Sequence, residues 1–178
     1  MHQEYKIFKD VIKKLNANNT PYMVSGSVAM NYYSIPRMTR DIDIVIEIND
    51  IESFYSTFKK EYYINKDTVH EAVKDRFMFN IIHLKEVIKI DFIIKKEDEY
   101  RNAEFKRRRK IKIGGLEVFI VSIEDLIISK LLWSKESRSD TQKNDIKNLL
   151  KEKIDLQYLT KWLKRLNILE FYKEISGG

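Results

Sequence analysis

The chain has 178 residues, 43% of them hydrophobic, no cysteine and a formal net charge of +6. These figures exclude a wholly disordered chain, a disulfide framework and a thiolate metal site. The basic excess favours polyanionic partners such as nucleotides or RNA.

The elements follow in order. "MHQEYKIFKDVIKKL" is charged and amphipathic, with Ile7, Phe8, Val11, Ile12 and Leu15 at helical spacing, so it reads as a helix rather than a signal peptide. The longest apolar runs are too short to span a bilayer, and the expected location is cytoplasmic with no membrane partner. "PYMVSG" reads as a strand stopping at Gly26, and "SVAMNYY" resumes as helix before a loop at Pro36. "DIDIVIEI" alternates strictly, with Ile42, Ile44, Ile46 and Ile48 on one side and Asp41, Asp43, Val45 and Glu47 on the other. "NDIESFYSTFKKEY" reads as a capped amphipathic helix. "FMFNIIHL" and "EVIKIDFII" pair as strands about a turn at Lys85 and Glu86, and "KIKIGGLEVFIV" is a hairpin turning on Gly114 and Gly115. From Ser122 the chain is helical, opening on the capping sequence "SIED". The expectation is an α/β (α+β) core over 1–121, a mixed twisted sheet flanked by helices, with a helical C-terminal section over 122–178 packed on it.

Asp41 and Asp43 leave one face of a strand, and Asp91 leaves the polar face of another. If those strands are neighbours, three carboxylates converge. Oxygen-only donors suit a hard divalent cation, and the expected one is Mg²⁺. Two such ions about 4 Å apart can activate an attacking oxygen and stabilise a leaving one. Gly26 and Ser27 stand where a strand gives way to a helix, a bend whose backbone N–H groups bind phosphate. A phosphate cradle beside acidic metal ligands describes a nucleoside triphosphate site.

Gly26-Ser27 after a strand, then Asp41-Ile42-Asp43, then Asp91 within "IKIDFII", resembles the signature of the DNA polymerase β-like nucleotidyltransferases. "SIPRMTRDIDIVI" with "VSIEDLIISKLLW" and "SDTQKNDIKNLL" is similar to the minimal bacterial branch that holds the AbiEii-type abortive-infection toxins. The resemblance covers residues 20 to 150. It implies the nucleotidyltransferase fold and transfer of a nucleoside monophosphate from an NTP, such as ATP, to an acceptor hydroxyl with release of pyrophosphate. It implies Mg²⁺ on Asp41, Asp43 and Asp91, with Asp91 the base or base-positioning group. Lys130 matches a lysine that faces the triphosphate, and Asp145 a position that orients that lysine or binds nucleotide. An RNA acceptor, a tRNA 3′ end above all, and an antitoxin-type protein partner follow from the same resemblance.

Other signals divide. Arg37 near phosphate and Thr39 supporting Asp41 compete with a solvated arginine and a turn cap. The run "KRRRK" at 106–110 invites an RNA contact, but charge runs are usually solvated faces. Trp133 and Trp162 read as core, and the three histidines make no zinc pattern. The rival reading is a non-catalytic nucleotide- or partner-binding module that keeps the fold.

Overall fold

A computed structural model describes residues 2–34, 36, 41–137 and 139–177, without the side chains of His2 and Glu136. Its centre is one seven-stranded mixed sheet. The strands are β1 (Tyr22–Val24), β2 (Ile42–Ile46), β3 (Tyr62–Tyr63), β4 (Met78–His83), β5 (Lys89–Ile94), β6 (Arg109–Ile113) and β7 (Leu116–Ile120). Across the sheet they run β3-β4-β5-β2-β1-β7-β6. β2 and β5 are parallel in the middle, as are β1 and β7, while β1–β2, β3–β4, β4–β5 and β6–β7 are antiparallel. Gly114 and Gly115 both take positive φ at the β6–β7 turn, as a two-residue primed hairpin requires.

Strand alternation divides the sheet chemically. Ile42, Ile44 and Ile46 are buried on one face, in register with Ile90, Phe92 and Ile94 of β5. Helices α1 (His2–Ala17) and α3 (Ile51–Phe58) serve this face. Phe54 and Phe58 of α3 pack edge-on against Phe92, and Tyr62 donates from its hydroxyl to Asp10 of α1 at 2.6 Å. Burying such aromatic rings contributes a few kcal/mol each, on the order of 2–3. Asp43, Val45 and Glu47 face the other way, with Asp91, Ile93 and Lys95 beside them. The lower part of that second face is covered by α5 (Glu99–Lys106): the Lys95 ammonium meets Glu47 at 2.9 Å and Asn102 at 2.6 Å. The upper part carries the aspartates.

Three elements go beyond the sequence reading. The stretch read as one helix to Tyr62 ends at Phe58, because Tyr62 is drawn into the aromatic cluster as β3. α4 (Lys66–Asp75) is capped by Asn65, whose side chain accepts from Thr68 N–H, and buries only Val69 and Ala72. α5 is capped by Asp98 in the same way, and one of its three buried side chains is a carboxylate, Glu104. α5 offers little apolar periodicity to read, whereas α4 carries Val69, Ala72 and Val73 at helical spacing, a short stripe that the sequence reading passed over.

The remaining helices are α2 (Gly26–Tyr33), α6 (Ile123–Ser137), α7 (Asp140–Leu149), α8 (Leu156–Arg165) and α9 (Leu169–Ser176). The basic run at 106–110 is divided: Lys106, Arg109 and Lys110 are exposed, while Arg107 and Arg108 are half-buried against the core. Arg107 stacks on Tyr158 with its guanidinium 3.5 Å from the ring centroid and pairs with Glu124 at 3.0 Å. Arg108 donates to the Phe105 carbonyl and lies over the Phe105 ring, and Lys110 pairs with Glu117. Trp162 is buried as expected, but Trp133 is 61% exposed. "LIISKLLW" is apolar on nearly every side, so periodicity could not choose which residue α6 turns outward. Among the described residues, no helix is long and apolar enough to cross a membrane.

Candidate active site

The parallel pairing of β2 with β5 builds the site. It sets Asp43 directly beside Asp91 and Ile42 beside Ile90, so Asp41, just before β2, comes level with Lys89. All four polar side chains leave the same face. Asp91 is 5% exposed, and its Oδ1 is buried with no hydrogen-bond partner. Its Oδ2 receives the Lys89 ammonium at 2.8 Å, and the same ammonium stands 4.0 Å from Asp41.

Asp43 is held from the bend. Ser25 N–H donates to the Asp43 carbonyl at 2.9 Å, and Ser27 N–H donates to its carboxylate. Gly26 between them has φ +56°, and a Cβ there would stand 1.9 Å from Asp43 Oδ2. Only glycine permits both the left-handed backbone and the close carboxylate. Burial first, then the like charges of Asp91 and Asp41, push the Asp43 carboxyl above its usual range, while Lys89 and the Ser27 N–H pull the other way. Lys89 is in turn held more basic than usual, chiefly by its hydrogen bond to Asp91.

Gly26, Ser27, Asp41, Asp43 and Asp91 are therefore brought together. Lys130 and Asp145 form a second, buried feature joining α6 to α7. The Lys130 ammonium donates to Asp145 at 2.7 Å and to Gln142 at 3.0 Å. Arg37 and Thr39 lie outside the described residues. Sequence reasoning passed over Lys89 and Asn80. Asn80 of β4 lies opposite Asp91 and is exposed. Alternation about Asp91 would have put Lys89 on its face, and the hairpin read about Lys85 and Glu86 would have put Asn80 opposite it.

Among the described residues, no three His, Asp or Glu side chains stand in a metal-holding arrangement. The Lys89 ammonium lies where the carboxylates converge and draws Asp91 and Asp41 to itself. The donor set nonetheless fits a hard cation: oxygen ligands alone, one buried carboxylate oxygen without a partner, and a second carboxyl crowded by like charge.

Solved structures share this architecture, which is the nucleotidyltransferase fold. The solution structure of the antibiotic-resistance factor ANT(2'')-Ia is 13% identical, covers 97% of each chain and superposes with a TM-score of 0.61. The lincosamide antibiotic adenylyltransferase LnuA, solved with lincomycin bound, is 13% identical over 84% of this chain and 96% of its own, with a TM-score of 0.56. An antigenic nucleotidyltransferase-like protein from Paracoccidioides brasiliensis is 14% identical over 99% and 93% of the two chains, with a TM-score of 0.61. The chain belongs to the family described as "Nucleotidyltransferase of unknown function (DUF6036)", whose model matches residues 5–173. No curated protein matches it in sequence.

Proposed function

We propose that this protein transfers a nucleoside monophosphate from an NTP to an acceptor hydroxyl, releasing pyrophosphate. The observation that carries the reading is the side-by-side register of Asp43 and Asp91 next to the Gly26 bend. Asp41, Asp43 and Asp91 would hold Mg²⁺, which supplies charge neutralisation at the reacting phosphate when bound. Gly26 and Ser27 open α2 toward the phosphates, and Gly26 keeps Asp43 close to that helix start. The unpartnered Asp91 Oδ1 is the atom that takes the hydrogen of the acceptor hydroxyl. Asp145 fixes Lys130 by its ion pair and so sets where that cation sits relative to the triphosphate. Arg37 and Thr39 keep their proposed roles at the phosphate and at Asp41. Positioning and fixed charge account for most of the rate.

For the acceptor, the internal use of Arg107 and Arg108 leaves only Lys106, Arg109 and Lys110 of the basic run exposed to meet an RNA, which weakens that choice. The antibiotic-modifying fold neighbours favour a small hydroxylated molecule instead. A toxin role with an antitoxin-type partner rests on the abortive-infection resemblance.

The test is incubation with each labelled NTP and Mg²⁺, in one arm with total RNA and in another with aminoglycosides and other polyols. Label should appear in an acceptor with the intact protein and not with Asp43→Ala. Label in RNA alone would restore the RNA acceptor. Nucleotide binding without transfer in either arm would overturn the enzyme reading in favour of a binding module.

A further inference from the structure

We infer that Lys89 is a tethered counter-ion that occupies the carboxylate site and must be displaced by the divalent cation. The inference rests on the metal-site reading given above. Three carboxylates on one sheet face repel one another, and something positive must stand among them for the metal-free protein to keep its shape. Lys89 supplies that charge from within the site. Its ammonium is 2.8 Å from Asp91 Oδ2 and 4.0 Å from Asp41 Oδ1. The strand register fixes this placement, because Lys89 shares the face of Asp91 and stands level with Asp41 across the parallel pair.

The side chain can also leave. It is 43% exposed, against 8% for the Asp91 side chain it pairs with, so its stem swings out without unpacking the core. Asp91 Oδ1, buried and unpartnered, is the half of that carboxylate Lys89 leaves open. Lys89 thus answers one oxygen of Asp91 and leaves the other without a hydrogen-bond partner. A divalent cation entering the site competes with Lys89 for Asp91 and Asp41. Its apparent affinity is reduced by the fraction of time the ammonium holds them, about tenfold if that fraction is roughly nine-tenths. Lys89 is therefore a positioning residue that keeps the ligands gathered while weakening metal binding.

Mn²⁺ binding without nucleotide, followed by electron paramagnetic resonance of the free ion, tests this on the whole chain. Lys89→Met should bind Mn²⁺ roughly tenfold more tightly than the unsubstituted protein. It should also melt lower without metal and gain more in Tm on Mn²⁺ addition. Lys60→Met, at an exposed lysine outside the site, makes the same change in net charge and should leave Mn²⁺ affinity unchanged. Unchanged or weaker binding by folded Lys89→Met overturns the inference, as does an equal gain in Lys60→Met. If Lys89→Met does not fold, Lys89→Arg decides: its forked cation should weaken Mn²⁺ binding, and equal or tighter binding overturns the inference. Binding that Asp43→Asn abolishes but no Lys89 substitution alters sinks this inference and leaves the metal site standing. Mn²⁺ bound by none of these proteins sinks both.

Discussion

Two groups of carboxylates in this molecule are treated in opposite ways. Between α5, α6 and α8, Glu104, Glu124 and Asp125 are 2%, 7% and 0% exposed, and all six of their oxygens have partners. Glu104 receives Arg101 and Ser129; Glu124 receives Arg107 and the Asp155 N–H; Asp125 receives the hydroxyls of Ser122 and Tyr158. Burial still pushes the Glu104 and Asp125 carboxyls upward, but hydrogen bonds and arginines oppose it. At the top of β2 and β5 the neighbours of Asp43 are other carboxylates, and Asp91 keeps an oxygen with no partner. A buried charge whose every atom is answered is part of the scaffold. Crowded like charges with an open atom are what the proposed metal site rests on.

The widest separation between the two regions is expected in activity. Asp91→Asn or Asp43→Asn should lower transfer by about 10³-fold or more. Without metal, Asp43→Asn should melt unchanged or up to about 4 °C higher, since it removes like charge worth about 1 kcal/mol. A large fall in Tm would place these aspartates with the scaffold. Gly26→Ala comes next: its Cβ collides with Asp43 in a left-handed backbone. Transfer should fall about 10²-fold, as a displaced group costs, with roughly 1–2 kcal/mol of stability lost, read from kinetics and urea unfolding. Arg107→Ala should do the reverse. It leaves Glu124 and Asp125 short of a cation and should cost about 2 kcal/mol, discounted for the partial exposure of the arginine. Its kcat should stay within about threefold of the parent, because Arg107 is placed in the scaffold and not at the reacting atoms.

The smallest effect is alkaline. Burial raises the hydroxyl pKa of six of the ten tyrosines, Tyr22, Tyr33, Tyr62, Tyr100, Tyr158 and Tyr172, with Tyr33 pushed up to about 12. The unfolded chain releases these protons near pH 10, before the folded one does. Stability is therefore intact below about pH 10 and falls as pH rises toward the folded values. Tyrosinate absorbance should show these six titrating late, together with loss of near-ultraviolet circular dichroism. Simultaneous titration of all ten without unfolding would mean Tyr100 and Tyr158 are not sealed into the scaffold region.

Much of this was legible before the fold was known. Alternation over 41–48 separated an apolar face from an acidic one, and the break at Gly26 marked where a helix begins, because strand period and glycine's backbone freedom are local properties. α5 escaped notice because its cap and a buried carboxylate stand where an apolar stripe would be, and the stripe of α4, Val69, Ala72 and Val73, is only three residues long. Trp133 was misplaced because an all-round apolar helix does not say which side faces out.

By itself, the sequence determined which residues carry charge on which face of each strand, since that depends only on neighbours one or two positions away. Tertiary structure alone decided that β5 lies parallel to β2, so that Asp43 meets Asp91 and Asp41 comes level with Lys89. Strand order and register are set by the packing of the whole sheet on its helices, so contacts between residues some fifty positions apart have no signature in either segment alone.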